Sequence, residues 1–170
     1  MLTEFLSDGA IALHREYIRQ KRLKYSIIES YLPRIKGAGV KDILRLGLTR
    51  RDRADVLALL PEITLHEIYF ASFSDTRYVR SEAVSHIFGS EAAYLNHLFA
   101  LTKNYDRGFL TVSRDGTASV VTDPFDAFVR GEPILAVDLC EHAYFLDYGF
   151  DKERYLISCL SYLDLTKITS

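Results

Sequence analysis

The chain has 170 residues, 48% apolar and 26% charged, with a net charge of −2. That is enough to bury one core or two small subdomains sharing an interface, and it lacks the basic surplus of a nucleic-acid footprint. No apolar run reaches the roughly 20 residues that span a bilayer, no secretory signal opens the chain, and Cys140 and Cys159 alone make no disulfide framework, so a cytoplasmic protein without membrane or nucleic-acid partners is expected.

Ser7 or Asp8 caps a first helix whose apolar positions Ile11, Leu13, Tyr17 and Ile18 continue to Ile27, Ile28 and Leu32. It ends near Pro33 and Gly37. Residues 41–48 read as a short helix. Residues 52–73 carry Val56, Leu57, Leu59, Leu60, Ile63, Leu65, Ile68 and Tyr69, with Pro61 bending or dividing the element. The two long helices amount to an αα-hairpin, assigned to residues 1–77.

After Ser74 and Asp75 the pattern changes. Residues 90–103 form a helix with a stripe at Ala93, Tyr94, Leu98 and Leu101. Residues 108–112 and 118–121 are short β-rich runs separated by Arg114-Asp115-Gly116, an Asp-Gly hairpin signal. Residues 133–137 make a third strand that delivers Asp138 at its end, and residues 153–163 close the chain as an amphipathic helix. Helices followed by a small antiparallel sheet with flanking helices is an α+β arrangement, the second unit covering residues 78–170.

The densest chemistry lies in Val137-Asp138-Leu139-Cys140-Glu141-His142-Ala143-Tyr144-Phe145-Leu146-Asp147-Tyr148. Asp138 and His142 are four apart, with Glu141 alongside, in an apolar and aromatic run. A buried charge there is costly unless it is paired or bound to a metal. Carboxylate oxygen together with imidazole nitrogen suits a transition-metal ion.

This stretch closely resembles the C-terminal metal signature of iron/manganese superoxide dismutases, V-D-V-W-E-H-A-Y-Y-L-D-Y. It departs from it at Leu139 for Val, Cys140 for Trp and Phe145 for Tyr. The resemblance implies an N-terminal α-helical hairpin packed on a C-terminal three-stranded antiparallel sheet with flanking helices. It also implies one iron or manganese ion per subunit held between the two halves, and a homodimer that converts superoxide to oxygen and hydrogen peroxide.

The same resemblance supplies a ligand set of three His and one Asp. Asp138 and His142 match directly, and His66 matches through Leu65-His66-Glu67-Ile68-Tyr69-Phe70, which is similar to the family's N-H-T-F-Y-W segment. Two registers are open for the fourth ligand. His14 fits one, which places Ile18 and Arg22 at the family's gateway His and Tyr. The other aligns Tyr25 with the gateway Tyr and puts Tyr17 at the ligand position. His14 and Tyr17 are three apart on one helix face.

The family's tuning Gln is matched by Glu62 on the helix and Thr122 on the sheet side. The expected catalytic residues are therefore Glu62 and Tyr25. Glu141 is expected to pair with the partner's metal-binding His, and Cys140 fills the pocket or stands beside the metal as a thiol. His86 and His97 read as solvated or capping residues. The basic run Arg15, Arg19, Lys21, Arg22, Lys24 reads as a solvated face that also steers anions. The function expected is a divergent iron- or manganese-dependent superoxide dismutase. The alternative is a metal-binding protein of that fold with a different or lost activity and a structural or interaction role.

Overall fold

A computed structural model describes residues 2–169. Helix α1, Asp8–Tyr31, starts where the Ser7 hydroxyl accepts the Ala10 N–H (3.2 Å). Ser7 is held in turn by Asp147, which accepts both its N–H (2.7 Å) and its hydroxyl (2.6 Å). The buried face of α1 is Ala10, Ile11, His14, Ile18 and Ile28. After a short turn at Pro33–Ile35 come α2, Val40–Arg45, and α3, Arg50–Leu57, the latter capped by Thr49.

The helix expected over 52–73 is two helices. Helix α4, Leu60–Ala71, follows α3 after a break at Ala58 and Leu59, with Pro61 in its first turn. There the missing proline N–H costs nothing, because first-turn donors have no intrahelical acceptor. Ile28, Ile35, Val40, Ile43, Leu48, Val56 and Leu60 form a small core of the helical half.

The second half adds α5, Glu82–Phe88, and α6, Glu91–Thr102. Strands β1, Phe109–Ser113, and β2, Ala118–Val121, precede α7, Asp126–Arg130. Strand β3, Pro133–Asp138, then leads into α8, Glu141–Tyr148, and α9, Lys152–Ser161. The sheet is antiparallel in the order β2-β1-β3. Phe109 of β1 stands opposite both Val121 and Asp138. The turn between β1 and β2 requires glycine at Gly116, where φ is 82° and a Cβ would come within 2.7 Å of the Phe88 ring.

The architecture is the expected α+β fold. Helices α5, α7 and α8 were not anticipated. Helices α5 and α7 are under eight residues and bury one side chain each, Val84 and Ala127 respectively, and α8, with eight residues, buries only Ala143 and Tyr144, too little to write a helical period into the sequence.

The main core crosses between the halves. Leu65 and Tyr69 of α4 and Ala10 and Ile11 of α1 pack with Leu110, Leu135, Val137, Tyr144 and Tyr155. Helix α4 is bolted to β3 by the buried Ser72 hydroxyl, which accepts the Ala136 N–H (2.8 Å). This bond fixes how far along β3 the helix lies, and so sets His66 against Asp138. Among the described residues no helix is long and apolar enough to cross a membrane.

Candidate metal centre

Four elements aim one side chain each at a common point. Helix α1 brings His14, α4 brings His66, the end of β3 brings Asp138, and the first turn of α8 brings His142. His14, His66 and Asp138 are fully buried, while the His142 side chain is 25% exposed. The Nε2 atoms of His14, His66 and His142 lie 3.2, 3.2 and 2.8 Å from Asp138 Oδ2. His66 Nε2 is 3.4 Å from His142 Nε2, and one potential ligand atom from each of the four residues lies within 4.8 Å of all the others.

The surroundings orient each group. His66 donates Nδ1–H to the Glu62 carbonyl (2.7 Å), which leaves Nε2 with its lone pair facing the cluster. Asp138 Oδ1 accepts the Cys140 N–H (2.8 Å), and the Asp138 carbonyl accepts the Tyr155 hydroxyl (2.9 Å), so Oδ2 alone faces the imidazoles. Tyr69 and Phe70 wall His14 at 4.9 and 5.1 Å between ring centroids, Phe109 stands edge-on to His66 at 4.9 Å, and Tyr17 stacks on His142 at 4.2 Å.

The donor set fits a metal ion. Asp138 Oδ2 and both His14 ring nitrogens are buried without a hydrogen-bond partner, a costly state for polar atoms. The three imidazoles approach Oδ2 at ion-pair distance, yet His14 does so outside hydrogen-bond geometry. Donors spaced by about 3 to 4 Å suit bonds of about 2.1 Å to one central ion. Three nitrogens and one oxygen are also a borderline-hard set that suits a first-row transition metal.

Electrostatics agree. Burial is the main cause that lowers His14 below its ordinary value, outweighing the neighbouring Asp138 carboxylate, which keeps the ring neutral as a ligand must be. Burial alone would raise Asp138, but His14, His142 and His66 around its carboxylate outweigh that and hold it well below the usual range.

The remaining expected residues are placed as follows. Glu62, one turn before His66, accepts the Tyr17 hydroxyl on Oε1 (2.8 Å) and the Lys21 ammonium on Oε2 (2.5 Å). Tyr25 is not brought to the cluster. It lies eleven residues beyond His14, about 16 Å along the axis, against the small helical core, and its hydroxyl is buried without a partner. Burial, followed by the Glu29 charge, pushes Tyr25 up to about 12.

Arg22 pairs with Glu67 (2.7 Å), and Ile18 is buried. Cys140 is the N-cap residue of α8, with its sulfur 3.5 Å from the Gly108 N–H. Burial and the Asp138 charge push its thiol up to about 12. Glu141, Thr122, His86 and His97 are exposed.

Two features were not singled out from the sequence. One is Lys21, read only as part of a solvated basic run, although its spacing of seven from His14 places it on the same helix face. The other is the buried Tyr69–Tyr155 hydroxyl pair (3.3 Å) behind the cluster.

Comparison with known proteins places these observations. The family described as iron/manganese superoxide dismutases, C-terminal domain, matches residues 67–170. An iron superoxide dismutase of Cupriavidus metallidurans is 32% identical over 120 residues, 65% of this chain and 59% of the relative. The match thus spans somewhat more than half the length of that relative.

Proposed function

The chain belongs to the iron/manganese superoxide dismutase family, and from that premise we propose that it is a divergent superoxide dismutase with His14, His66, Asp138 and His142 as the ligands of one iron or manganese ion per subunit. The observation that carries this reading is the convergence of four potential ligand atoms within 4.8 Å, with His14 and Asp138 buried and short of partners. Iron or manganese held there supplies reversible one-electron exchange, the chemistry by which two superoxide ions and two protons become dioxygen and hydrogen peroxide.

The chain's own residues have separate tasks. Tyr69, Phe70 and Phe109 exclude water from three sides. His142, the most exposed of the four, marks the open side from which a small anion enters. Tyr17 covers that ring, and Glu62, at the position matched to the family's tuning Gln, holds Tyr17 in place, so we assign to Tyr17 the gateway place expected for Tyr25.

The partner is a second copy of this chain. Leu13, Phe145, Leu146 and Phe150 are exposed apolar residues on or just after α1 and α8, the two helices that pack together beside His142. Glu141 stands at the start of the same helix.

The alternative, a metal protein of this fold with another or no activity, draws on one observation. Both oxygens of Glu62, where the family's Gln is matched, are engaged by Tyr17 and Lys21. Superoxide turnover by protein reconstituted separately with iron and with manganese decides between the two. Catalysis with either ion supports the dismutase, and full metal content with no turnover leaves the alternative.

A further inference from the structure

Beside the four potential ligands stands a charged group that the ligand set does not use. Glu62 and His66 share one helical turn, because the Glu62 carbonyl accepts the His66 Nδ1–H. Displacing Glu62 therefore displaces the imidazole. The Glu62 side chain is tied to α1 at both oxygens, by the Tyr17 hydroxyl (2.8 Å) and the Lys21 ammonium (2.5 Å). The same ammonium lies 5.0 Å from the centre of the Tyr17 ring, which is stacked on His142 at 4.2 Å. Tyr17 and Lys21 are one turn apart on the helix that carries His14.

The side chains of Lys21 and Glu62 are 24% and 17% exposed. At that depth a carboxylate without its cation is an uncompensated charge. With both oxygens bound to α1, Glu62 acts as a clamp beside the cluster, not as a fifth ligand. Its charge still reaches the ion, because screening is incomplete at this half-buried site.

We propose that Lys21 is a positioning residue of the metal centre: it cancels the charge of Glu62, thereby raising the reduction potential of the bound ion, and through Glu62 it keeps Tyr17 seated on His142. This inference rests on the metal reading above. Without Lys21, an anion one turn from His66 stabilises the oxidised ion. With Lys21, the pair contributes almost no net charge. The geometry makes Lys21 and Glu62 one unit, so removing either alone is worse than removing both.

The test compares wild type with Lys21→Met, Lys21→Arg, Glu62→Gln and the double variant Lys21→Met/Glu62→Gln. All are full chains loaded with iron, with iron content measured beside the midpoint potential, above the range in which carboxylates titrate. Lys21→Met is expected to lower the potential by at least the equivalent of a tenfold change in the oxidised-to-reduced ratio, about 59 mV for one electron. Lys21→Arg keeps the wild-type potential within threefold on that ratio, and the double variant recovers most of the shift. Unfolding of the metal-free proteins gives an independent reading. The two single substitutions destabilise by more, in sum, than the double does.

A fully loaded Lys21→Met protein with unchanged potential overturns the inference, as do additive effects in the metal-free cycle. Loss of iron from Lys21→Met but not from Lys21→Arg supports it, and loss from both overturns it. Wild-type protein that takes up neither iron nor manganese brings down the metal reading and this inference together, whereas loaded wild type with an insensitive potential brings down the inference alone.

Discussion

Tyr17 and Tyr25 lie eight residues apart on α1, and their surroundings differ. The Tyr17 hydroxyl reaches Glu62 beside the cluster, while that of Tyr25 is buried against hydrocarbon with no partner. An orphaned hydroxyl costs stability, so removing it relieves the cost. Tyr25→Phe is expected to leave superoxide turnover unchanged and to raise unfolding stability by about 1 kcal/mol. A loss of turnover would return Tyr25 to the gateway.

His14 gives a second prediction, for the metal-free protein. Its folded value is lowered by burial, so the unfolded chain binds the proton more readily. Stability is then complete above the ordinary histidine value of about 6.5 and is lost as pH falls through the interval below it. Asp138, also depressed, adds a loss beginning below the ordinary carboxylate value near 3.9. The melting temperature is expected to drop between about pH 7 and pH 5, and His14→Gln to flatten that slope. An unchanged slope in the variant would remove His14 as its source.

At the scale of elements, the cluster depends on register. Helix α4 is fixed to β3 by the Ser72 hydroxyl and the Ala136 N–H, both buried. Ser72→Ala leaves that N–H without an acceptor and is expected to cost about 1–3 kcal/mol and to weaken metal retention, read by denaturant unfolding and metal content. A cost near zero would show that α4 is held by packing alone.

The elements also show what the sequence made legible. Helix α1, α6, the hairpin and β3 were readable because each carries a cap, an Asp-Gly turn or a sustained apolar pattern. The break before α4 was foreshadowed by Pro61, and its position two residues earlier was not. Helices α5 and α7 left almost no periodic signal. The Asp138–His142 pair was visible because both residues lie on one short segment. The choice between His14 and Tyr17 was not, since residues three apart share a helix face and only the crossing of α1 over α4 separates their environments. Lys21 was hidden because its partner is not local in sequence: Glu62 is 41 residues away.

For the whole molecule, the site joins parts otherwise held by packing and a few hydrogen bonds, among them Ser72 to Ala136 and Ser7 to Asp147. His14 and His66 come from the helical half and Asp138 and His142 from the sheet half, so a bound ion ties the halves together. Ligand binding stabilises the folded state by about 4 kcal/mol when free metal is a thousand times its dissociation constant. Asp138→Ala should abolish most of that metal-dependent rise in melting temperature. The exposed apolar residues Leu13, Phe145, Leu146 and Phe150 have a molecular consequence as well. Light scattering is expected to show a dimer that Leu146→Glu shifts toward monomer, and a monomeric wild type would contradict the proposed partner.

The most direct test of the account is X-ray absorption at the metal edge of the purified, loaded protein. Three imidazole nitrogens and one carboxylate oxygen at about 2.0–2.2 Å, with the nitrogen count reduced in His14→Ala, is the predicted result. No bound metal, or a metal whose coordination shell is unchanged by His14→Ala and contains sulfur from Cys140, would contradict it.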